Sequence, residues 1–98
     1  MNPFELFKNM QNLQSQMQQM QSKLEELSAT GSSGAGMVEI TINGKMEVQS
    51  IFIDPQAIDP SDAKTLETLV AGAFNQAVQN MQEELKDQAL SLSGASRS

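Results

Sequence analysis

The sequence predicts an α+β protein in which two long helices flank a small antiparallel sheet. Three patterns carry this prediction: a heptad alternation of apolar residues over 3–27, strand-like alternation within 37–53, and a broad apolar stripe over 61–90. The chain has 98 residues, enough for one domain. We place that domain at 1–90 and expect the small, polar residues 91–98 to form a disordered tail.

The first helix, residues 3–27, is predicted from its start signals and its apolar spacing. Asn2 can cap it, and Pro3 suits the first helical position. Seven apolar residues follow at spacings of 4, 3, 4, 3, 4 and 3, the pattern of a helix that pairs with another helix. Met at three of these positions fits either a helix–helix interface or an adaptable peptide groove. We call these residues the apolar seam: Leu6, Met10, Leu13, Met17, Met20, Leu24 and Leu27.

Residues 28–36 are rich in Gly and Ser and are predicted to be a flexible connector. Their glycines follow a helix and precede a strand, which is the reverse of the order in a phosphate-binding loop. Phosphate binding is therefore not expected here.

The sheet is predicted over residues 37–53 as a meander of two or three short strands. Residues 37–42 alternate between apolar and polar, as a half-buried strand does. Asn43-Gly44 then signals a hairpin turn, which requires positive φ at both residues. In the following run, 45–53, Met46 and Val48 fall on one face of a regular strand, but Ile51 and Ile53 fall on the other. This change of face predicts a bulge or break near Gln49-Ser50.

The second helix is predicted over residues 61–90, with Ser61 as its cap and Asp62 in its first turn. Its apolar residues follow the i, i+3, i+4 pattern of a helix packed on a sheet. Gly72, Ala73 and Ala77 are small enough to let another backbone approach closely. The full stripe is Leu66, Leu69, Val70, Ala73, Phe74, Ala77, Val78, Met81 and Leu85.

The composition excludes several classes of site. The chain contains neither Cys nor His, which removes disulfides, thiolate zinc sites and the commonest general base. The acidic pairs Glu25-Glu26 and Glu83-Glu84 diverge on their helices instead of converging on a substrate. We therefore expect no catalysis, no cofactor and no metal, and we expect the small core to be stabilised by another subunit.

The net charge of −6 favours a basic partner over nucleic acid on charge alone. No apolar run approaches the roughly 20 residues of a membrane span, so we expect a soluble, cytoplasmic protein without membrane contact.

Several short motifs follow one another between residues 10 and 86. They are Thr30-Gly31-Ser32-Ser33-Gly34-Ala35-Gly36-Met37-Val38, Thr41-Ile42-Asn43-Gly44, Ile53-Asp54-Pro55, Leu66-Glu67-Thr68-Leu69-Val70 and Ala73-Phe74-Asn75-Gln76-Ala77. With the Gln- and Met-rich first helix, they closely resemble the YbaB/EbfC family of bacterial nucleoid-associated proteins. The resemblance covers most of the chain, and the shared order of the motifs makes it specific.

The resemblance implies an α-β-β-β-α subunit that forms a homodimer whose helix pairs project like the arms of tweezers. It also implies binding to double-stranded DNA in the cytoplasm and nucleoid, a role in nucleoid organisation, and no catalysis. Family genes often lie near those of a clamp-loader subunit and a recombination protein, which suggests replication or recombination proteins as further partners.

The candidate DNA-binding residues are polar side chains on the helical arms. Cations must lie along the phosphates of a duplex, and amide side chains can hydrogen-bond phosphates or base edges. We select Lys8, Lys23 and Lys86, then Lys45 beside the hairpin, with Gln11 and Gln18 from the first helix. The candidate dimer or helix seam is Met10, Leu13, Met17, Met20 and Leu24.

Two alternatives to DNA binding remain open. The polar face of the first helix fits a solvated surface as well as a DNA contact. The acidic charge and the Met-rich seam fit a protein-interaction module with weak or no DNA binding, and a purely structural oligomer is a third possibility.

Overall fold

The computed structural model describes residues 2–93, which form two long helices and a three-stranded sheet. The elements in chain order are α1 (Pro3–Glu26), β1 (Ala29–Ser33), β2 (Val38–Ile42), β3 (Val48–Ile53), a 3-10 turn (Pro55–Ala57) and α2 (Ala63–Ser93). The strands pair antiparallel in the order β1-β2-β3. The predicted α-β-β-β-α architecture is confirmed.

The core lies between α2 and one face of the sheet. Burying a large apolar side chain stabilises the fold by roughly 1.5–3 kcal/mol, and β2 supplies three such residues from alternate positions. The stripe predicted on the second helix faces them. The buried core residues are Val38, Ile40, Ile42, Ala73, Ala77 and Met81.

Gly31 of β1 brings that strand into direct contact with the backbone of α2. A Cβ atom at this position would overlap the backbone nitrogen of Ala77 and the carbonyl oxygen of Ala73. The prediction that small residues of the second helix admit another backbone is therefore confirmed, and β1 is the strand that uses the space.

The prediction of a flexible connector over 28–36 is wrong for most of its length, because β1 occupies Ala29–Ser33. The strand was missed because it has no large apolar residues. Its small residues Ala29, Gly31 and Ser33 pair with core residues of β2 and so share the face toward α2. The β1–β2 turn that follows has positive φ at Gly34, Ala35 and Gly36.

The β2–β3 hairpin is confirmed, but the predicted two-residue turn is wrong. Neither Asn43 nor Gly44 has positive φ, and Met46 has it instead (φ 65°). The buried Asn43 side chain organises a longer turn, because its Oδ1 accepts from the backbone N–H groups of Lys45 and Glu47 while its Nδ2 donates to Glu47 Oε1. The turn is therefore organised by the Asn43 side chain, and its left-handed residue is Met46 and not Asn43 or Gly44.

The bulge predicted near Gln49-Ser50 is present. Thr41 pairs with Ser50, but Ile42 pairs with Val48, so Gln49 is the extra residue. This shift places Val48 on the same face as Ile51.

The helix ends differ slightly from the prediction. Asn2 caps α1 as predicted, accepting from the Phe4 N–H at 2.9 Å. On α2 the cap is Asp62, whose carboxylate accepts from the Thr65 N–H and hydroxyl, so the assignment of Ser61 is wrong. The helix continues through Ser93, which corrects the tail prediction for 91–93. The remainder of that prediction, 94–98, lies outside the described residues.

The described part of the chain is elongated and flat, with extents of 68 × 36 × 16 Å. Its radius of gyration is 19.6 Å, whereas a compact domain of this length has about 13 Å. Among the described helices, neither is both long and apolar enough to cross a bilayer.

Candidate nucleic-acid interface

Helix α1 is an exposed arm attached to the rest of the molecule at its C-terminal end. None of its residues is buried. At its base, the Gly44 N–H donates to the carbonyl oxygen of Leu24 at 2.8 Å, and Lys45 pairs with Glu25 at 3.3 Å. The hairpin turn therefore holds the end of the helix, and most of the helix is accessible to a partner.

Lys8 and Lys23 are exposed near opposite ends of α1. Fifteen helical residues separate them by about 22 Å along the axis and by about 60° around it. The residues between them, 9–22, carry no charge, so the segment 8–23 has two Lys and no acidic residue. Beyond the ends of this segment, Glu5 lies within one turn of Lys8, and Glu25 and Glu26 lie within one turn of Lys23. Lys8, with one nearby carboxylate, has the most favourable electrostatic environment for a phosphate among the candidate Lys residues.

Gln11 and Gln18 are exposed on the same helix. On a regular helix they lie about 60–80° from Lys8, on the side away from Lys23. The four candidates therefore spread over less than half of the circumference of α1, and they can contact one side of a duplex together. The seam residues from Leu6 to Met17 lie on the opposite side of the helix, whereas Lys23 adjoins the basal seam residues.

The structure does not bring Lys86 and Lys45 into this face. Lys86 lies on α2 with Glu83, Glu84 and Asp87 within one turn, and these carboxylates offset its charge. Lys45 is paired with Glu25, as noted above. Both are weaker candidates for phosphate binding than the Lys residues of α1.

The seam is exposed along most of its length. Leu6, Met10, Leu13, Met17 and Met20 are 52–64% exposed, whereas Leu24 and Leu27 at the base are half-buried. The basal residues Met20, Lys23, Leu24 and Leu27 face Leu85, Gln88 and Ala89 of α2 across a shallow groove of about 200 Å³. Within the described residues, α2 therefore approaches only the base of the seam.

A second exposed apolar surface lies at the edge of the sheet, and sequence reasoning did not single it out. Val48 and Ile51 of β3 are on the α2 face of the sheet, yet they are 47% and 52% exposed because α2 crosses β1 and β2. Helix α2 also carries an open groove of about 590 Å³ lined by Ala63, Leu66, Glu67, Val70, Ala71 and Phe74. We call Val48, Ile51 and this groove the sheet-edge surface.

The described residues contain no cluster of three or more acidic groups placed to hold a metal ion. Asp59 accepts hydrogen bonds from the Ser61 hydroxyl and backbone N–H, which lower the pKa of its carboxyl group. This contact shapes the turn before α2 and lies outside the candidate interface.

Comparisons with known proteins agree on one family. The sequence model described as the YbaB/EbfC DNA-binding family matches residues 1–96. A nucleoid-associated protein of Paramagnetospirillum magneticum is 43% identical over 65 residues, covering 66% of this chain and 61% of that protein. A nucleoid-associated protein of Anaeromyxobacter is 49% identical over 53 residues, covering 54% of this chain and 52% of that protein. The chain thus spans about half to three-fifths of the length of these relatives.

The fold also matches a solved structure. The crystal structure of the uncharacterized protein HP0035 from Helicobacter pylori superimposes with a TM-score of 0.69 at 23% identity, covering 94% of this chain and 97% of that one. At this identity the match concerns the fold alone.

Proposed function

Because the chain belongs to the YbaB/EbfC DNA-binding family, a family of nucleoid-associated proteins and not of enzymes, we propose that it is a homodimer that binds duplex DNA with little sequence specificity. In this role it contributes to nucleoid organisation or gene regulation in the bacterial cytoplasm and nucleoid. The observation that carries the proposal is the exposed α1 face from Lys8 to Lys23, which combines two cations with uncharged polar side chains.

Weak sequence discrimination is supported by the side chains on this face. The commonest specific base contact is a bidentate Arg on guanine, and residues 2–93 contain no Arg. Lys binds phosphate as a point charge, and phosphate carries no sequence information. Gln11 and Gln18 can donate to phosphate oxygens in the same way.

Homodimerisation is supported by the sheet-edge surface. The outer edge of β3 has no neighbouring strand in the described fold, which leaves backbone donors and acceptors open to another strand. Val48 and Ile51 are exposed on the face of the sheet that α2 packs against, and α2 carries an open apolar groove; exposed apolar surface of this kind is typical of a protein interface. A dimer formed there doubles the number of α1 arms.

The alternative function is a protein-interaction module with weak or no DNA binding. It is favoured by the net charge of −6, which repels DNA, and by the exposed apolar seam. On this alternative DNA binding is weak or absent, and the Lys residues of α1 do not determine its affinity.

A gel shift on random-sequence duplex at about 50 and about 200 mM salt tests the proposal. The test variant is Lys8→Ala/Lys23→Ala, and the matched control is Lys64→Ala/Lys86→Ala, which removes the same charge from α2, outside the α1 face. We expect the unaltered protein and the control to shift DNA less at the higher salt, and the test variant to lose the shift. If four phosphate contacts per dimer are lost, the slope of log K against log salt falls by up to about 4.

Equal losses in both variants would contradict binding by the α1 face and indicate a general charge effect. Absence of any shift by the unaltered protein at the lower salt would favour the protein-interaction module.

A further inference from the structure

The seam is an apolar surface that its own subunit leaves uncovered. Five of its residues, Leu6 to Met20 at heptad positions, are more than half exposed. Phe7, which is 61% exposed and lies about 60° around the helix from Met10, widens the apolar surface near the N-terminal end. An exposed patch of this extent marks an interaction site on a folded protein.

The heptad spacing of the seam favours a partner helix whose apolar residues have the same spacing. Heptad spacing lets a helix interdigitate with another heptad helix, and α1 is the helix of this chain with that spacing. The broader stripe of α2 is already used against the sheet.

The charge distribution along α1 favours a second copy of the chain as the partner of the seam. Two copies with a net charge of −6 each repel one another, yet residues 9–22, which contain the centre of the seam, are uncharged. Identical α1 helices can therefore approach without like-charge contacts beside the seam. A charged partner helix, by contrast, would find no opposite charges to fix its register.

We propose that the α1 seam pairs with the α1 seam of another copy, as an interface separate from the sheet-edge surface. The proposal rests on the proposed function in one respect, because it takes the sheet-edge dimer as the unit that α1 joins to further dimers. Two α1 arms on each dimer then produce assemblies of four or more chains.

Seam pairing and DNA binding use opposite sides of α1. Met17 lies about 180° around the helix from Lys8, and Leu13 lies about 140° from it. A paired seam therefore leaves Lys8, Gln11 and Gln18 accessible. Joined dimers hold DNA-binding faces on both sides of the helix pair, so the assembly bridges two segments of duplex.

Sedimentation equilibrium of the full chain tests the interface without DNA. The seam variant is Leu13→Gln/Met17→Gln, and the matched control is Ser15→Gln/Ser22→Gln on the polar face. Neither variant changes the charge, and α1 contributes no buried residue to the core. We expect the unaltered protein and the control to exceed the mass of two chains as concentration rises, and the seam variant to remain at two.

Two results would overturn the proposal. An unaltered protein that stays at the mass of two chains across the concentration range has no second interface. A seam variant with the mass of one chain shows that the seam belongs to the dimer contact itself.

Cross-linking provides a second test that does not depend on weakening the interface. Because the chain has no Cys, Met17→Cys and Ser15→Cys each introduce a single thiol. With a short bismaleimide, we expect covalent pairs from Met17→Cys and several-fold fewer from Ser15→Cys. Equal yields from the two variants would contradict seam pairing.

Bridging is measured by recovery of a labelled duplex on beads that carry an unlabelled duplex. We expect recovery with the unaltered protein, and loss with Leu13→Gln/Met17→Gln although its gel shift persists. Undiminished bridging by the seam variant would reject the proposal while leaving DNA binding intact. If no variant shifts DNA, the proposed function fails, and the sedimentation result still decides the interface.

Discussion

The backbone N–H of Gly44 donates a 2.8 Å hydrogen bond to the carbonyl oxygen of Leu24, and this contact joins the β2–β3 turn to the last turn of α1. The last carbonyls of a helix lack the usual i+4 donor, and the Leu24 carbonyl accepts instead from the Leu27 N–H at 3.2 Å and from the turn. Since α1 buries no residue, its orientation relative to the sheet depends on this junction. This junction therefore also sets the orientation of the candidate DNA-binding face and of the seam.

Gly44→Ala is therefore expected to destabilise the junction. A Cβ at this position would lie 2.7 Å from the Leu24 carbonyl oxygen, so the helix end or the turn must move. We expect the free energy of unfolding to fall by about 1–3 kcal/mol, measured by urea denaturation followed by circular dichroism.

Gly72→Ala is the control for the same chemical change on α2. Its Cβ would meet Ser33 Cβ at an ordinary 3.6 Å, and Ala is preferred to Gly within a helix by about 0.5–1 kcal/mol. We expect this variant to be stabilised. Equal stability of the two variants would contradict a steric role for Gly44.

Gly31→Ala is expected to be more damaging than Gly44→Ala. Its Cβ would overlap backbone atoms of both Ala73 and Ala77, and no flexible side chain can move aside. We expect a loss of about 3 kcal/mol in unfolding free energy, a large part of the stability of a small domain. Ser32→Ala, on the exposed face of the same strand, should change it by less than about 0.5 kcal/mol. An unfolding curve for Gly31→Ala like that of Ser32→Ala would exclude the close approach of β1 and α2.

The parts of the fold that follow a strong hydrophobic period could be predicted from the sequence. The spacing from Leu6 to Leu27 predicted a long helix with one apolar side, and the stripe from Leu66 to Leu85 predicted the helix that packs on the sheet. Within residues 45–53 the apolar residues change from one face of the strand to the other, and this change predicted the bulge that the structure places at Gln49. In each case a local pattern of apolar residues determines which side of the element is apolar.

The parts that depend on contacts distant in sequence could not be predicted. β1 has no apolar repeat, and it forms because Gly31 fits against Ala73 and Ala77, more than 40 residues away. The sheet-edge surface arises because α2 crosses β1 and β2 instead of β3, a matter of packing geometry. Of the candidate Lys residues, the sequence could not show that Lys45 is paired with Glu25.

Lys86→Ala is expected to affect DNA binding less than Lys23→Ala. Three carboxylates lie within one turn of Lys86 and offset its charge, whereas Lys23 has two, Glu25 and Glu26, of which Glu25 is paired with Lys45. In a titration of duplex DNA at low salt, we expect Lys23→Ala to lower the salt slope by about 1 for each lost contact. Lys86→Ala should leave the slope nearly unchanged. The opposite ranking would place the DNA on α2.

Ile51→Lys is expected to break the proposed sheet-edge dimer. Ile51 faces the α2 side of β3 and is 52% exposed, so a buried ammonium there would carry a large desolvation cost in a dimer but little in a monomer. The substitution is made within Leu13→Gln/Met17→Gln, so that seam pairing does not mask the result. We expect sedimentation equilibrium to give the mass of one chain.

The control is Ser50→Lys in the same background, which adds the same charge one residue earlier. The Ser50 side chain points to the opposite face of the sheet, with Thr41, so this variant should retain the mass of two chains. A two-chain mass for both variants would place the dimer contact elsewhere, and a one-chain mass for both would indicate that added charge, and not the face of the sheet, disrupts association.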